Sequence, residues 1–128
     1  MSEFERQERM KSLQAIEDML KRSELAKEKF LLGTSQHSLL VNRIHALKIA
    51  SSLLSCEITG ADIASMYTTK ELVDARAPLA SLLGKSEKAR EKLKPTSWQF
   101  AMLNDNLDAL NRALHQLEHV LKTRIENH

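Results

Sequence analysis

The chain has one cysteine, Cys56, in 128 residues. It therefore carries no internal disulfide framework, and a reducing cytoplasm is its expected location. Breakers of regular structure are also few, with three glycines and two prolines. Aromatics are 4% of residues, so aliphatic side chains must fill any core. No apolar run approaches the roughly 20 residues that cross a bilayer, and no transmembrane segment is expected. The start, MSEFERQERMK, is charged and lacks the apolar stretch of a signal peptide. Neither sign of charge dominates: 19 basic residues meet 17 acidic ones, for a net +2. A nucleic-acid binder concentrates a basic field, so no nucleic-acid partner is expected. Strands of alternating polarity and glycine loops that cradle phosphate are missing too.

Leu, Ala, Lys and Glu dominate what remains, and 42% of residues are hydrophobic, enough to build a core. This composition reads as all-α. The length suits one domain spanning 1–128.

The strongest internal signal is a repeat. SELAKEKF, residues 23–30, returns as SEKAREKL, residues 86–93. Laid against itself with a shift of 63, the chain is identical at 12 of the 39 positions pairing 16–54 with 79–117. Ordinary composition would give roughly two or three. Leu20/Leu83, Ser23/Ser86, Ala26/Ala89, Leu40/Leu103, Ala46/Ala109, Leu47/Leu110, Ala50/Ala113 and Leu54/Leu117 are among the identities. Matches at helical spacing point to a duplicated unit.

Each unit reads as two helices joined by a turn. In the first, apolar residues at 13, 16, 20, 26 and 30 step at helical intervals. Ser2 and Glu5 offer a cap at its start. Gly33, in LLGTSQ, ends that helix or opens the next, and helix two is expected from about 35 to 55. In the second unit KPTSWQ supplies the turn, and Thr96 with Gln99 fits a capping box, with Gln36 at the matching place. Helix four carries Leu103, Leu107, Leu110, Leu114, Leu117 and Leu121 as one stripe. Helix three opens at Thr68 and Glu71, and Pro78 predicts a break or bend near 76–78. Ser23 and Ser86 on the apolar stripes, with the shared alanines, predict close helix crossings. The expected architecture is a four-helix bundle of two tandem αα-hairpins, with approximate internal twofold symmetry. The repeats cover about 9–56 and 72–121. The linker, about 57–69, has room for a short helix near 61–67.

Differences between the halves mark candidate surfaces. Val41, Ile49 and Leu53 correspond to Asn104, Arg112 and Gln116, so the apolar arc of helix two is the wider. Either the linker, through Ile58, Ile63, Met66 and Tyr67, or a second protein chain must cover it. Trp98, opening helix four, either plugs the end of the bundle or anchors a partner, and packing is the favoured reading. Val41, His45, Ile49, Leu53 and Trp98 form the candidate interaction surface.

Chemistry-bearing patterns are sparse. HQLEH, residues 115–119, has the H-x-x-E-H spacing of one zinc-peptidase class, yet both histidines point away from the Leu stripe and a third ligand is missing. His37 and His45 lack the Glu three residues earlier that ferritin-like di-iron sites need. Cys56, beside Glu57 at a helix C-terminus, is expected to be an unreactive thiol. No catalytic residue, metal or cofactor is expected, and the chain reads as a non-enzyme. The functional expectation is a small interaction or regulatory protein, with a protein partner or self-association. A structural homodimer and a binder of a small ligand or metal between the helices are the alternatives. A further one is an analogy of size, helicity and mild basicity: in these the chain resembles bacteriocin-immunity-type proteins.

Overall fold

A computed structural model describes residues 1–127. Four long helices account for most of them: α1 Glu3–Lys27, α2 Ser35–Thr59, α3 Thr69–Glu91 and α4 Trp98–Glu126, with one 3₁₀ turn at Ile63–Ser65. No strand occurs among the described residues. The chain is thus all-helical and forms a bundle. Each of α1 and α3 packs on α2 and α4, and α2 also touches α4 across the diagonal.

Local chemistry sets the boundaries. Hydroxyls cap every long helix: Ser2, Thr34, Thr68 and Ser97 each accept from the backbone N–H three residues on. Only Thr68 and Glu71 complete a reciprocal capping box. The expected pairing of Thr96 with Gln99 does not form. Ser97 caps α4 instead, with its Oγ 3.2 Å from the N–H of Phe100. Gln36 and Gln99 therefore stand at the second helical position, where their side chains cannot close a box. Gly33 and Gly60 take positive φ, +85° and +80°, ahead of the cap of α2 and at its end. An L side chain is strained in that region, which suits glycine to both places.

Two boundary expectations need correction. Helix two runs on past Cys56 to Thr59, until Gly60 donates its N–H to the Cys56 carbonyl at 2.8 Å. Pro78 does not break α3, which is continuous from Thr69 to Glu91. Proline has a helical φ already and here removes one donor, the one owed to the Asp74 carbonyl. Asp74 is exposed, so water can satisfy that oxygen.

The core follows the repeat. Residues 63 apart are buried in pairs: Ile16 with Leu79, Ser23 with Ser86, Ile44 with Leu107, Ala46 with Ala109, Leu47 with Leu110, Ala50 with Ala113 and Leu54 with Leu117. The alanine pairs keep the facing surfaces of α2 and α4 small, so these helices meet across the diagonal. Ser23 donates its hydroxyl to the Met19 carbonyl at 2.9 Å, satisfying a polar atom inside the bundle. In α4 the predicted stripe is slightly rotated. Leu107, Leu110, Leu117 and Leu121 are buried, but Leu103 and Leu114 are only half-buried, while Asn106, Ala109 and Ala113 lie inside.

Ion pairs tie the helices outside the core. Arg9 Nε lies 3.0 Å from Glu57, Lys11 3.4 Å from Asp105, and Arg76 Nη2 donates to Glu118 at 3.1 Å. These pairs are exposed or partly so, and each contributes at most about 1 kcal/mol.

Candidate interaction surface

Ile49 and Leu53 do not belong to a docking surface. Their exposures are 0% and 3%, and both sit in the main apolar cluster. The reason is the environment of α2, which touches α1, α3, α4 and the linker turn. Ile63 joins the same cluster, with Tyr67 packed at its edge, and Tyr67 shares a 2.9 Å hydrogen bond with Ser52. Arg124 fixes the linker from α4. Its guanidinium donates to the carbonyls of Ala64 and Tyr67 and to Thr69 Oγ1, at 3.1, 2.9 and 3.0 Å. Of the two expected covers for the wide apolar arc, the linker is the one present. At the equivalent positions of α4, Arg112 and Gln116 are half-buried and line an open cleft with Glu57 and His115.

Val41 and His45 stay on the outside of α2. His45 Nε2 lies 3.5 Å from Glu71 Oε2. The Glu71 carboxyl is held below its ordinary value, first by the hydrogen bond from the Thr68 backbone, then by the Thr68 hydroxyl and the charge of His45. Its role is thus to finish the start of α3.

Trp98 is 70% exposed and does not plug the bundle. It is the first residue of α4, directly after the cap Ser97. It has company. The α1–α2 turn carries Phe30, Leu31 and Leu32, and the latter two are 80% and 86% exposed. Leu25, one turn back on α1, is exposed as well.

These residues share one end of the molecule. The N-terminal part of α2 faces the middle and C-terminal part of α3, with Leu39, Asn42 and Arg43 lining one groove with Ala77, Pro78 and Ser81, and Leu40 and Arg43 another with Leu82 and Ser86. The hairpins therefore run in the same sense, and both turns close the same end. The segments that flank the two turns carry Lys27, Lys29, Lys88, Arg90, Lys92 and Lys94 against Glu24, Glu28, Glu87 and Glu91, a small basic excess. Farther back, Arg90 donates to Asn104 at 2.7 Å and lies 5.9 Å from the centre of the Phe100 ring. The sequence reading found Trp98 but missed Leu31 and Leu32. Their signal was an apolar triplet immediately before a turn glycine, where no helix face exists to bury it.

The remaining chemistry stays apart. His115 and His119 are exposed, and Glu118 between them is held by Arg76. No group of three His, Cys, Asp or Glu side chains among the described residues is placed to hold a metal ion. Burial pushes the Cys56 thiol up, and the charge of Asp62 adds to this, whereas Glu57 is turned to Arg9. Among the described residues no helix is long and apolar enough to cross a membrane. Comparison with protein-family models, with curated proteins and with solved structures finds no match to this chain.

Proposed function

We propose that this chain is a non-enzymatic, cytoplasmic interaction protein. Its contact surface is the end of the bundle formed by the α1–α2 and α3–α4 turns. The observation that carries this reading is the exposure of Leu31, Leu32 and Trp98 at one end of the bundle, where the segments flanking the turns are net basic. Single exposed apolar residues are ordinary, as with Val41 and Val73 on the sides of α2 and α3, whereas Phe4 and Ile125 lie toward the opposite end of the bundle. An aromatic and two adjacent leucines on one tip are not scattered, and an indole beside basic side chains is a frequent anchor of protein interfaces. The lysines favour a partner with an acidic rim around an apolar groove. They also oppose docking of two tips on one another, because like charges would face.

Affinity capture from the native cell tests the reading. Wild type is compared with a Leu31→Asp, Leu32→Asp double variant and with Trp98→Ala. Because these side chains stand in solvent, the variants should fold with unchanged helicity and lose one specific captured protein. Retention of every captured protein by the double variant would refute the tip as the contact surface. Light scattering over a range of concentrations covers the other outcome: a dimer that the double variant dissociates would make the occupant a second copy.

A further inference from the structure

A second feature lies inside the bundle rather than on its tip. Between the four helices opens a cleft of about 280 Å³, walled by Met19, Ser23, Leu40, Leu82 and Ser86, with Arg22, Arg43 and Asn106 also facing it. Three pairs in its lining are 63 residues apart: Met19 with Leu82, Ser23 with Ser86, and Arg43 with Asn106. The cleft is therefore built where the two repeats face one another, and at one of these pairs they differ in charge, Arg43 against Asn106. No carboxylate lines it.

We infer that this cleft is a binding site for a small phosphate monoester. Three observations converge on an oxyanion. First, Arg22 and Arg43 both reach the cleft, and among the described residues neither has a carboxylate within 4.0 Å. A partly buried guanidinium with no counter-charge costs free energy that an anionic ligand would recover. The burial already lowers the Arg43 pKa. Second, Asn106 is 5% exposed, and its remaining accessible surface opens into the clefts it lines, where its amide meets no protein hydrogen-bond partner among the described residues. The amide atoms that remain accessible are reached by water in the cleft and are free to turn to a ligand that displaces it. Third, the two carboxylates of the adjoining cleft, which Arg22 and Asn106 also line, are each engaged by another side chain. Asp105 pairs with Lys11 at 3.4 Å, and Asp18 accepts from Gln14 at 3.0 Å.

The donor set selects among oxyanions. Two forked guanidinium groups, the Asn106 amide and the Ser86 hydroxyl together offer more N–H and O–H groups than the two oxygens of a carboxylate can take up. A tetrahedral phosphate matches them better. The volume corresponds to about nine waters of liquid, which is more than the phosphate group itself fills. Met19, Leu40 and Leu82 supply an apolar wall for a small organic body on the ester oxygen.

Thermal unfolding followed by far-ultraviolet circular dichroism, together with titration calorimetry, tests the site. The probes are β-glycerophosphate, inorganic phosphate and succinate, each against sodium chloride at matched ionic strength. The expected result is saturable binding of β-glycerophosphate that raises the midpoint of unfolding. Arg43→Gln should weaken it by about tenfold or more, the loss of one charged hydrogen-bonding group. Arg22→Gln, at an exposed position, should weaken it in the same direction and keeps the test decisive if the Arg43 variant unfolds. Lys48→Gln, an exposed cation outside the cleft, should bind as wild type does. Absence of saturable binding, or binding that both arginine variants retain, would overturn the site. Binding of succinate in preference to both phosphates would overturn its assignment to phosphate.

Discussion

At position 49 the first hairpin places an isoleucine that water does not reach. At 112, 63 residues on, the second hairpin places a half-buried arginine. Leu53 and Gln116 repeat the contrast. The helices carrying them otherwise agree, with alanines and leucines buried at the same repeat positions. What differs is the neighbour. The linker turn at Ile63 packs on α2 within the main apolar cluster, whereas Arg112 and Gln116 of α4 line an open cleft. The wider apolar arc of α2 thus goes with an additional neighbour, the linker turn that packs on it beside α1, α3 and α4. Extra hydrophobicity in one copy of a repeat need not mark a binding face.

This comparison can be broken at several points. The largest effect is expected at the unequal pair itself. Ile49→Ala should cost about 2–5 kcal/mol, for lost burial plus the cavity left behind, whereas Arg112→Ala should stay within about 0.5 kcal/mol of wild type. Urea unfolding followed by circular dichroism reads both, and similar losses at the two positions would show that α4 is covered as α2 is.

Next comes the pair Ala15 and Pro78, which occupy the same repeat position in α1 and α3. Ala15→Pro should destabilise by about 3 kcal/mol through the lost hydrogen bond and ring clash. Pro78→Ala should instead stabilise, by about 1–3 kcal/mol, because it restores the donor to the Asp74 carbonyl. A Pro78→Ala variant that unfolds at lower urea would mean that α3 depends on the proline.

The smallest effect tests the linker. Arg124→Ala removes three donated hydrogen bonds from a partly exposed guanidinium and should cost about 1–2 kcal/mol. The loss should be accompanied by faster hydrogen exchange in residues 61–68, with the α1–α2 turn unaffected.

Most of the architecture was legible because helical periodicity and turn residues are local signals. Four helices, two tight turns and a linker with a short helical turn could be placed from Leu, Ala, Gly and Ser spacing alone. Errors arose where two local signals competed or where geometry was not local. Thr96 and Ser97 both offered a capping hydroxyl, and the tidy Thr–Gln pattern pointed to the wrong one. Shifting Thr34 by 63 lands on Ser97, so the repeat itself held the right answer. Ile49 was misplaced because one helix seen alone does not reveal how many neighbours it has. For Trp98 packing was favoured over a surface role, because the end of a bundle is shaped by the turns around it, which periodicity does not describe. The cleft of Arg43 and Asn106 left a faint trace: polar residues at one repeat position on an otherwise apolar face. That trace gains meaning only when all four helices are assembled.

Trp98 has a practical consequence for anyone who handles this protein. It is the sole indole of the chain, and it is bathed in water while the protein is folded. Its emission will therefore change little when the bundle melts, and a fluorescence-monitored melt would understate a cooperative transition. The same placement makes it a built-in reporter: a blue shift of that emission would signal that something has come to rest on the tip.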